Sequence, residues 1–128
     1  MTILTAKQAA HILRVVLKHA KTELQANPQF TVSNLSTLLA VIENPGVTQP
    51  EIGEVVGSED PAVLSRQLRY LRGQRQGVVQ SPLRPVVKLS PLETDNRLNV
   101  VELTDEGKAF ANDLARTMNR LLRDAMKQ

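Results

Sequence analysis

The residues with the clearest chemical potential in this chain are cations that recur after residue 60. From Pro61 to Leu92 the sequence contains no Asp or Glu. The basic side chains of that stretch are Arg66, Arg69, Arg72, Arg75, Arg84 and Lys88. A solvated protein surface normally mixes charges of both signs, so a long run of one sign indicates a binding site for a polyanion.

The first of these cations belong to an amphipathic helix. At about 100° per residue, Leu64, Leu68 and Leu71 share one side of a helix that begins near Ser58 or Asp60. The opposite side carries Ala62, Ser65, Arg66, Arg69 and Arg72. The pattern predicts one face in the core and one cationic face toward a ligand.

Two shorter helices precede this one. Ser33 to Glu43 has a helical apolar pattern. Thr48 and Glu51 then have the spacing of a capping box, and Gly57 can supply the left-handed residue that ends a helix. Two short helices joined by a glycine turn predict a helix-turn-helix over 48–73, with its second helix against DNA.

Long amphipathic segments lie at both ends of the chain. Thr5, followed by Gln8, predicts a capped helix from Thr5 to Gln25. Its apolar stripe consists of Ala9, Leu13, Val16, Leu17, Ala20 and Leu24, with Ile12 at the edge. Thr104 predicts the start of a last helix, whose stripe consists of Phe110, Leu114, Met118, Leu121, Leu122 and Ala125. The two stripes suit burial against each other, within one chain or across the two-fold axis of a dimer.

Between these helices the sequence acquires β character. Val78-Val79 is β-branched, and strands are predicted near Pro85–Ser90 and Leu98–Leu103, with turn-forming residues over 90–97. Three helices followed by a hairpin make a winged helix. The predicted fold class is therefore mainly α with a small β-hairpin.

The amino-acid composition further narrows the set of possible functions. The 128 residues are 41% apolar and 23% charged, with a net charge of +3, which is typical of one globular domain. The chain has no cysteine, which excludes disulfides and zinc-thiolate sites. Its three aromatic residues argue against a single-strand binder that stacks bases, so duplex is the favoured partner. We expect no membrane span and no signal peptide, and a cytoplasmic location.

Catalysis is not predicted. The sequence has no nucleophile and base set, phosphate-binding glycine loop or metal-ligand spacing. His11 and His19 lie eight residues apart, about 80° out of line on a helix, and so do not form a ready metal site. We expect a protein without cofactor or metal.

These features resemble the MarR family of winged-helix transcription regulators. The resemblance rests on Val63-Leu64-Ser65-Arg66, on Asp95-Asn96-Arg97 in the hairpin, and on Leu103-Thr104-Asp105-Glu106-Gly107 at the start of the last helix. It implies one domain over 1–128, with dimerisation helices over 5–26 and 104–128 and a winged helix-turn-helix lobe over 31–103. It also implies a homodimer that binds a pseudo-palindromic duplex.

The resemblance assigns roles to particular residues. It implies that Ser65, Arg66 and Arg69 contact bases or phosphates, and that Arg97 enters the minor groove with its guanidinium held by Asp95. Arginine suits both tasks, because it can be bidentate to a guanine edge and is attracted to a narrow minor groove. A plain ion pair at a turn tip is the alternative for Asp95 and Arg97. The other cations of the predicted DNA surface are Arg72, Arg75, Arg84 and Lys88.

One segment departs from the family pattern. Arg72 to Pro85 is longer than the link that the family usually has there, and it can extend the DNA contact, lengthen the wing or cover a neighbouring surface. The resemblance also allows a small-molecule effector, although no set of residues marks its pocket.

The sequence thus favours a DNA-binding regulator, most simply a repressor that occupies its operator. Two alternatives stay open. One is a non-specific, architectural or replication-associated DNA binder, and the other is a winged-helix module that binds an acidic protein.

Overall fold

The computed structural model describes residues 4–24, 31–58, 60–73 and 85–127. Its helices are α1 (Ala6–Glu23), α2 (Val32–Glu43), α3 (Gln49–Val56), α4 (Pro61–Leu71) and α5 (Asp105–Met126). Its strands are β1 (Val47–Thr48), β2 (Val87–Leu92) and β3 (Asp95–Leu103). The predicted class, mainly α with a small β-hairpin, is confirmed, and the short strand β1 extends the hairpin to a three-stranded sheet.

The helices begin where the sequence places side-chain caps. The Thr5 hydroxyl accepts from the Gln8 amide at 3.1 Å, and the Gln8 side chain accepts from the Thr5 amide at 2.9 Å. Thr104 caps α5 in the same way, because its hydroxyl accepts from the Gly107 amide at 3.0 Å. These bonds satisfy amides that have no partner inside the helix.

The helix-turn-helix forms as predicted. Glu51 accepts from the amide of Thr48 at 3.2 Å, and Gly57 ends α3 with a φ of 72°. Asp60 then caps α4 by accepting from the Ala62 amide at 2.9 Å, with Pro61 in the first turn. Leu64, Leu68 and Leu71 of α4 are buried against a core that α2 and α3 share.

The hairpin differs from its prediction in two respects. The strands continue through most of 90–97, which leaves only Glu93 and Thr94 as the turn. Pro91 is tolerated because β2 is the outer strand of the order β1-β3-β2, where a missing amide costs little. In addition, the sequence analysis missed β1, in which Val47 pairs with Val101 of β3.

The terminal helices pack against each other within one chain. The side chain of Gln8 donates to the carbonyl of Ala125 at 3.2 Å, which ties the start of α1 to the end of α5. The predicted apolar stripe of α1 is buried at one end and partly exposed at the other. Ala20 and Leu24, at its C-terminal end, are buried. Ile12, predicted at the edge of the stripe, is only 7% exposed, whereas Leu13, predicted within it, is 62% exposed. The side of α1 that is covered here therefore contains Ile12 instead of Leu13.

A backbone junction joins the helix-turn-helix, the hairpin and α5. The amide of Val86 donates to the carbonyl of Leu71 at 2.9 Å, and the carbonyl of Val86 accepts from the amide of Thr104 at 3.0 Å. The Thr104 hydroxyl also donates to the carbonyl of Pro85 at 2.7 Å. Gly107 packs so closely on this junction that a Cβ there would overlap the Val86 carbonyl oxygen.

Gly107→Ala should therefore destabilise the fold, although Gly→Ala inside a helix ordinarily stabilises by roughly 0.5–1 kcal/mol. Overpacking against backbone costs about 1–3 kcal/mol, and this cost should decide the sign. Chemical denaturation measures the change in the free energy of unfolding. Lys108→Ala, at the exposed neighbouring position, is the control and should leave that free energy nearly unchanged. A more stable Gly107→Ala protein would refute the close packing.

Candidate nucleic-acid interface

The outer face of α4 presents polar and cationic side chains opposite its buried leucines. Arg66 is exposed, while Ser65 and Arg69 are half-buried. The Asp60 cap fixes where the helix begins, and burial of Leu64 and Leu68 fixes which side faces the core. The three predicted side chains therefore lie together on the solvent-facing side of one short, anchored helix.

The wing holds an ion pair between Asp95 and Arg97. The Arg97 Nε donates to Asp95 Oδ1 at 3.0 Å, and its Nη2 donates to Oδ2 at 3.1 Å. The Arg97 amide also donates to Oδ1 at 3.1 Å. The Arg97 side chain nevertheless stays 89% exposed. A guanidinium that is oriented and still open to solvent can donate to a further acceptor.

Both members of this pair have shifted pKa values. The side-chain hydrogen bonds from Arg97, and secondly its amide, lower the pKa of Asp95. The Asp95 carboxylate raises the pKa of Arg97. The pair is thus charged throughout the physiological pH range.

A groove of about 330 Å³ separates the wing from the helix-turn-helix. Its lining consists of Gln49, Pro50, Gly53, Ser58, Pro61, Leu64, Arg97, Leu98 and Asn99. The starts of α3 and α4 form one wall, and β3 forms the other. The groove places Arg97 on the same side of the molecule as the start of α4.

No protein-family profile matches the sequence, and no curated protein matches it either. Solved structures do match. The structure of MarR aligns at 20% identity over 88% of this chain and 74% of that chain, with a TM-score of 0.56. PcaV from Streptomyces coelicolor, a transcriptional regulator in complex with its natural ligand, aligns at 22% identity over 88% and 73%, with a TM-score of 0.53. The transcriptional repressor CouR, bound to a 23-mer DNA duplex, aligns at 20% identity over 95% and 75%, with a TM-score of 0.57.

The chain has a MarR-like winged-helix fold. Within this MarR-like fold, the run from Leu103 to Gly107 is explained by packing. Thr104 caps α5 and binds the backbone of Pro85, while Gly107 permits the close approach of Val86. This part of the resemblance therefore identifies the fold rather than a binding residue.

Of the remaining predicted cations, the structure describes Lys88 and Arg72. Lys88 is exposed on β2 opposite Glu102, roughly 17 Å along the strand from Arg97. Arg72 follows the end of α4, and its Nε is enclosed without a hydrogen-bond partner among the residues described. Arg75 and Arg84 lie outside the described residues, as do Val78-Val79 and most of the long segment that contains them.

Two polar residues of the groove were missed in the sequence. Asn99 lies two positions after Arg97 on β3, and Gln49 opens α3 directly after its cap. The alternation of side chains along a strand could have identified Asn99, because positions two apart share a face. Nothing local marks Gln49, which faces the groove only because the wing folds over it.

No group of His, Asp or Glu side chains that could hold a metal ion occurs within 4–24, 31–58, 60–73 and 85–127. In the same ranges, no helix is both long and apolar enough to cross a membrane.

Arg97→Gln should raise the pKa of Asp95 toward its ordinary value, because the charged hydrogen bonds that lower this pKa are lost. A lowered pKa means that the ion pair is complete at neutral pH and is lost only as the pH falls through a pKa below the ordinary range of an aspartate carboxyl. A carbon-13 NMR titration of the Asp95 carboxyl measures the shift.

Arg116→Gln is the control for this titration, because Arg116 pairs with Asp113 on α5. It should leave the Asp95 midpoint where it is in the wild-type protein. Equal Asp95 midpoints in wild-type and Arg97→Gln protein would show that the pair does not form in solution.

Proposed function

We propose that this protein is a sequence-specific double-stranded DNA-binding transcriptional regulator that acts as a homodimer on a pseudo-palindromic site. The observation that carries the proposal is the arrangement of two cationic elements. The outer face of α4 presents Ser65, Arg66 and Arg69, and the Asp95-oriented guanidinium of Arg97 borders a groove that the start of the same helix also lines. A duplex presents both a groove for a helix and phosphates or a minor groove for the wing.

In this proposal α4 lies in the major groove. The helix has 11 residues, which is about 16 Å of length, and the groove is about 12 Å wide. Ser65, Arg66 and Arg69 would contact bases or phosphates. Arginine can donate two parallel hydrogen bonds to a guanine edge, which gives both affinity and sequence preference.

The wing would contact a flanking minor groove through Arg97. Asp95 already holds the guanidinium in one orientation, so less side-chain entropy is lost when the arginine meets DNA. Arg72, Arg75, Arg84 and Lys88 would add phosphate contacts around these two elements. Such contacts carry affinity and its salt dependence rather than sequence preference.

The dimer would form through the terminal helices. Leu13 is 62% exposed on α1, and Leu17 and Met118 are also exposed. These side chains lie on α1 and α5, the two helices that pack against each other within the chain. A second copy would bury them across a two-fold axis, which places two α4 helices on two half-sites.

Repression is the simplest mode of regulation for such a dimer, because a protein that occupies its site blocks other proteins from it. CouR, which shares the fold, is a repressor solved on DNA. A small-molecule effector is a further part of the proposal, since PcaV was solved with its natural ligand. The cytoplasmic location stays a prediction.

Selection from a pool of random duplexes at about physiological salt tests the function. We expect enrichment of an inverted repeat whose half-sites lie about one helical turn apart. Retention of duplex without an enriched motif would favour a non-specific or architectural DNA binder. Absence of retention would favour the module that binds an acidic protein.

Arg69→Ala should weaken binding to the selected site by roughly 1–3 kcal/mol and relax the preference at one base position. Fluorescence anisotropy on the selected duplex and on single-base variants measures both effects. Arg120→Ala, an exposed arginine of α5, is the control and should bind like the wild type. If Arg69→Ala loses affinity equally on every duplex, Arg69 contacts a phosphate instead.

Leu13→Glu should shift the protein from dimer to monomer, because a second copy would have to bury the new carboxylate. Sedimentation equilibrium measures the change, and circular dichroism checks that the helices remain. Val55→Glu is the matched control, because Val55 is 51% exposed on α3, outside the terminal helices. A Leu13→Glu protein that stays dimeric would exclude this surface from the interface.

A further inference from the structure

A polar pair joins α2 to α4 next to buried apolar side chains. Thr37 of α2 is 1% exposed, and its hydroxyl donates to Oε1 of Gln67 at 2.8 Å. Around this pair the two helices bury Leu38, Val41 and Leu68. Because Thr37 is buried, loss of the Gln67 acceptor would leave its hydroxyl without this partner, which costs stability.

The position of Gln67 on α4 connects the Thr37–Gln67 bond to the rotation of that helix. At about 100° per residue, Gln67 lies on the flank of the helix between the buried leucines and the exposed face. It directly follows Arg66 and precedes Arg69 by two residues. The rotation of α4 about its own axis thus determines both the Thr37–Gln67 distance and the direction of the outward-facing side chains.

Burial of the α4 leucines fixes which side of the helix faces the core, but the hydrophobic effect itself has no preferred direction and so adds no directional bond. A hydrogen bond does have a preferred direction, and it weakens steeply when distance or angle changes. A rotation of about 10° moves a group at the helix surface, some 6 Å from the axis, by roughly 1 Å. That displacement exceeds the whole range of donor-to-acceptor distances in an O–H···O bond, about 2.5–3.0 Å.

We propose that Thr37 and Gln67 are positioning residues that set the rotation of α4 and so determine which base edges its outer face can reach. This inference rests on the proposed function, because it assigns to the pair a part in DNA sequence discrimination. Neither residue is proposed to touch DNA. The pair acts through the side chains of the outer face, and its loss reduces discrimination between sites without removing phosphate contacts.

The experiment compares Thr37→Val, Gln67→Leu and the double variant in the full-length protein. Each single variant leaves one polar group without its partner and should lower the melting temperature. The double variant replaces both partners by apolar groups of similar shape and should recover most of that loss. Restored stability then separates the positioning role from simple folding.

The decisive readout is the ratio of affinities for the selected duplex and for a scrambled duplex. We expect the double variant to lose roughly tenfold in this ratio, the scale of one good base contact. Its salt dependence on the scrambled duplex should equal that of the wild type, because the phosphate contacts remain. Thr37→Ser keeps the hydroxyl and should keep the wild-type ratio.

Ser36→Val is the matched control, because Ser36 is the exposed neighbour of Thr37 on α2. It should change neither the melting temperature nor the ratio. A double variant of normal stability and wild-type ratio would overturn the inference while leaving the proposed function intact. If the double variant does not fold, the comparison of Thr37→Val with Thr37→Ser decides, at a temperature where both are folded.

A wild-type protein that binds both duplexes equally would overturn the proposed function and the inference together. Failure of the proposed function is visible in the wild-type protein, before any variant is made. Failure of the inference alone is visible only in the variants, so the two failures are distinguishable.

Discussion

The backbone of Val86 joins the helix-turn-helix, the wing and α5 at one point of the molecule. Its amide is bound by the end of α4 and its carbonyl by the start of α5, so three elements meet at one residue. These bonds are buried with the Val86 side chain, which is 1% exposed. A buried amide or carbonyl without a partner costs stability, so the junction resists partial opening.

The candidate interface depends on the Val86 junction, although no residue of the interface belongs to the junction. The wing begins directly after Val86, and α4 ends at Leu71, the residue that binds the Val86 amide. The angle between wing and helix is therefore set at their common base. This angle determines where Arg97 lies at the far end of the wing. It also determines the shape of the groove between β3 and the starts of α3 and α4.

Features set by neighbouring residues could be predicted from the sequence. The caps of Thr5, Thr104 and Asp60 depend on contacts over two or three positions, as does the pairing of Asp95 with Arg97. Features that join distant residues could not. Neither β1, two residues long and paired with a strand some fifty positions away, nor the bond of Thr37 to Gln67 has a local pattern.

The burial of Ile12 shows a different limit. A helical period identifies which residues share a stripe, but it leaves the centre of that stripe uncertain by about one position, or 100°. The partner helix decides which side is covered, and α5 covers Ile12 rather than Leu13. The same uncertainty does not affect α4, because its arginines and leucines lie on clearly opposite sides.

The bond between Leu71 and Val86 has a consequence for how this chain can change over evolution. It fixes both ends of the long segment between α4 and the wing, so residues can be added to or removed from that segment without moving either element. Doubling the length of a loop whose ends are fixed costs only about 0.6 kcal/mol of closure entropy. A lineage can therefore try new lengths and compositions between Leu71 and Val86 while the fold that supports the candidate interface stays the same.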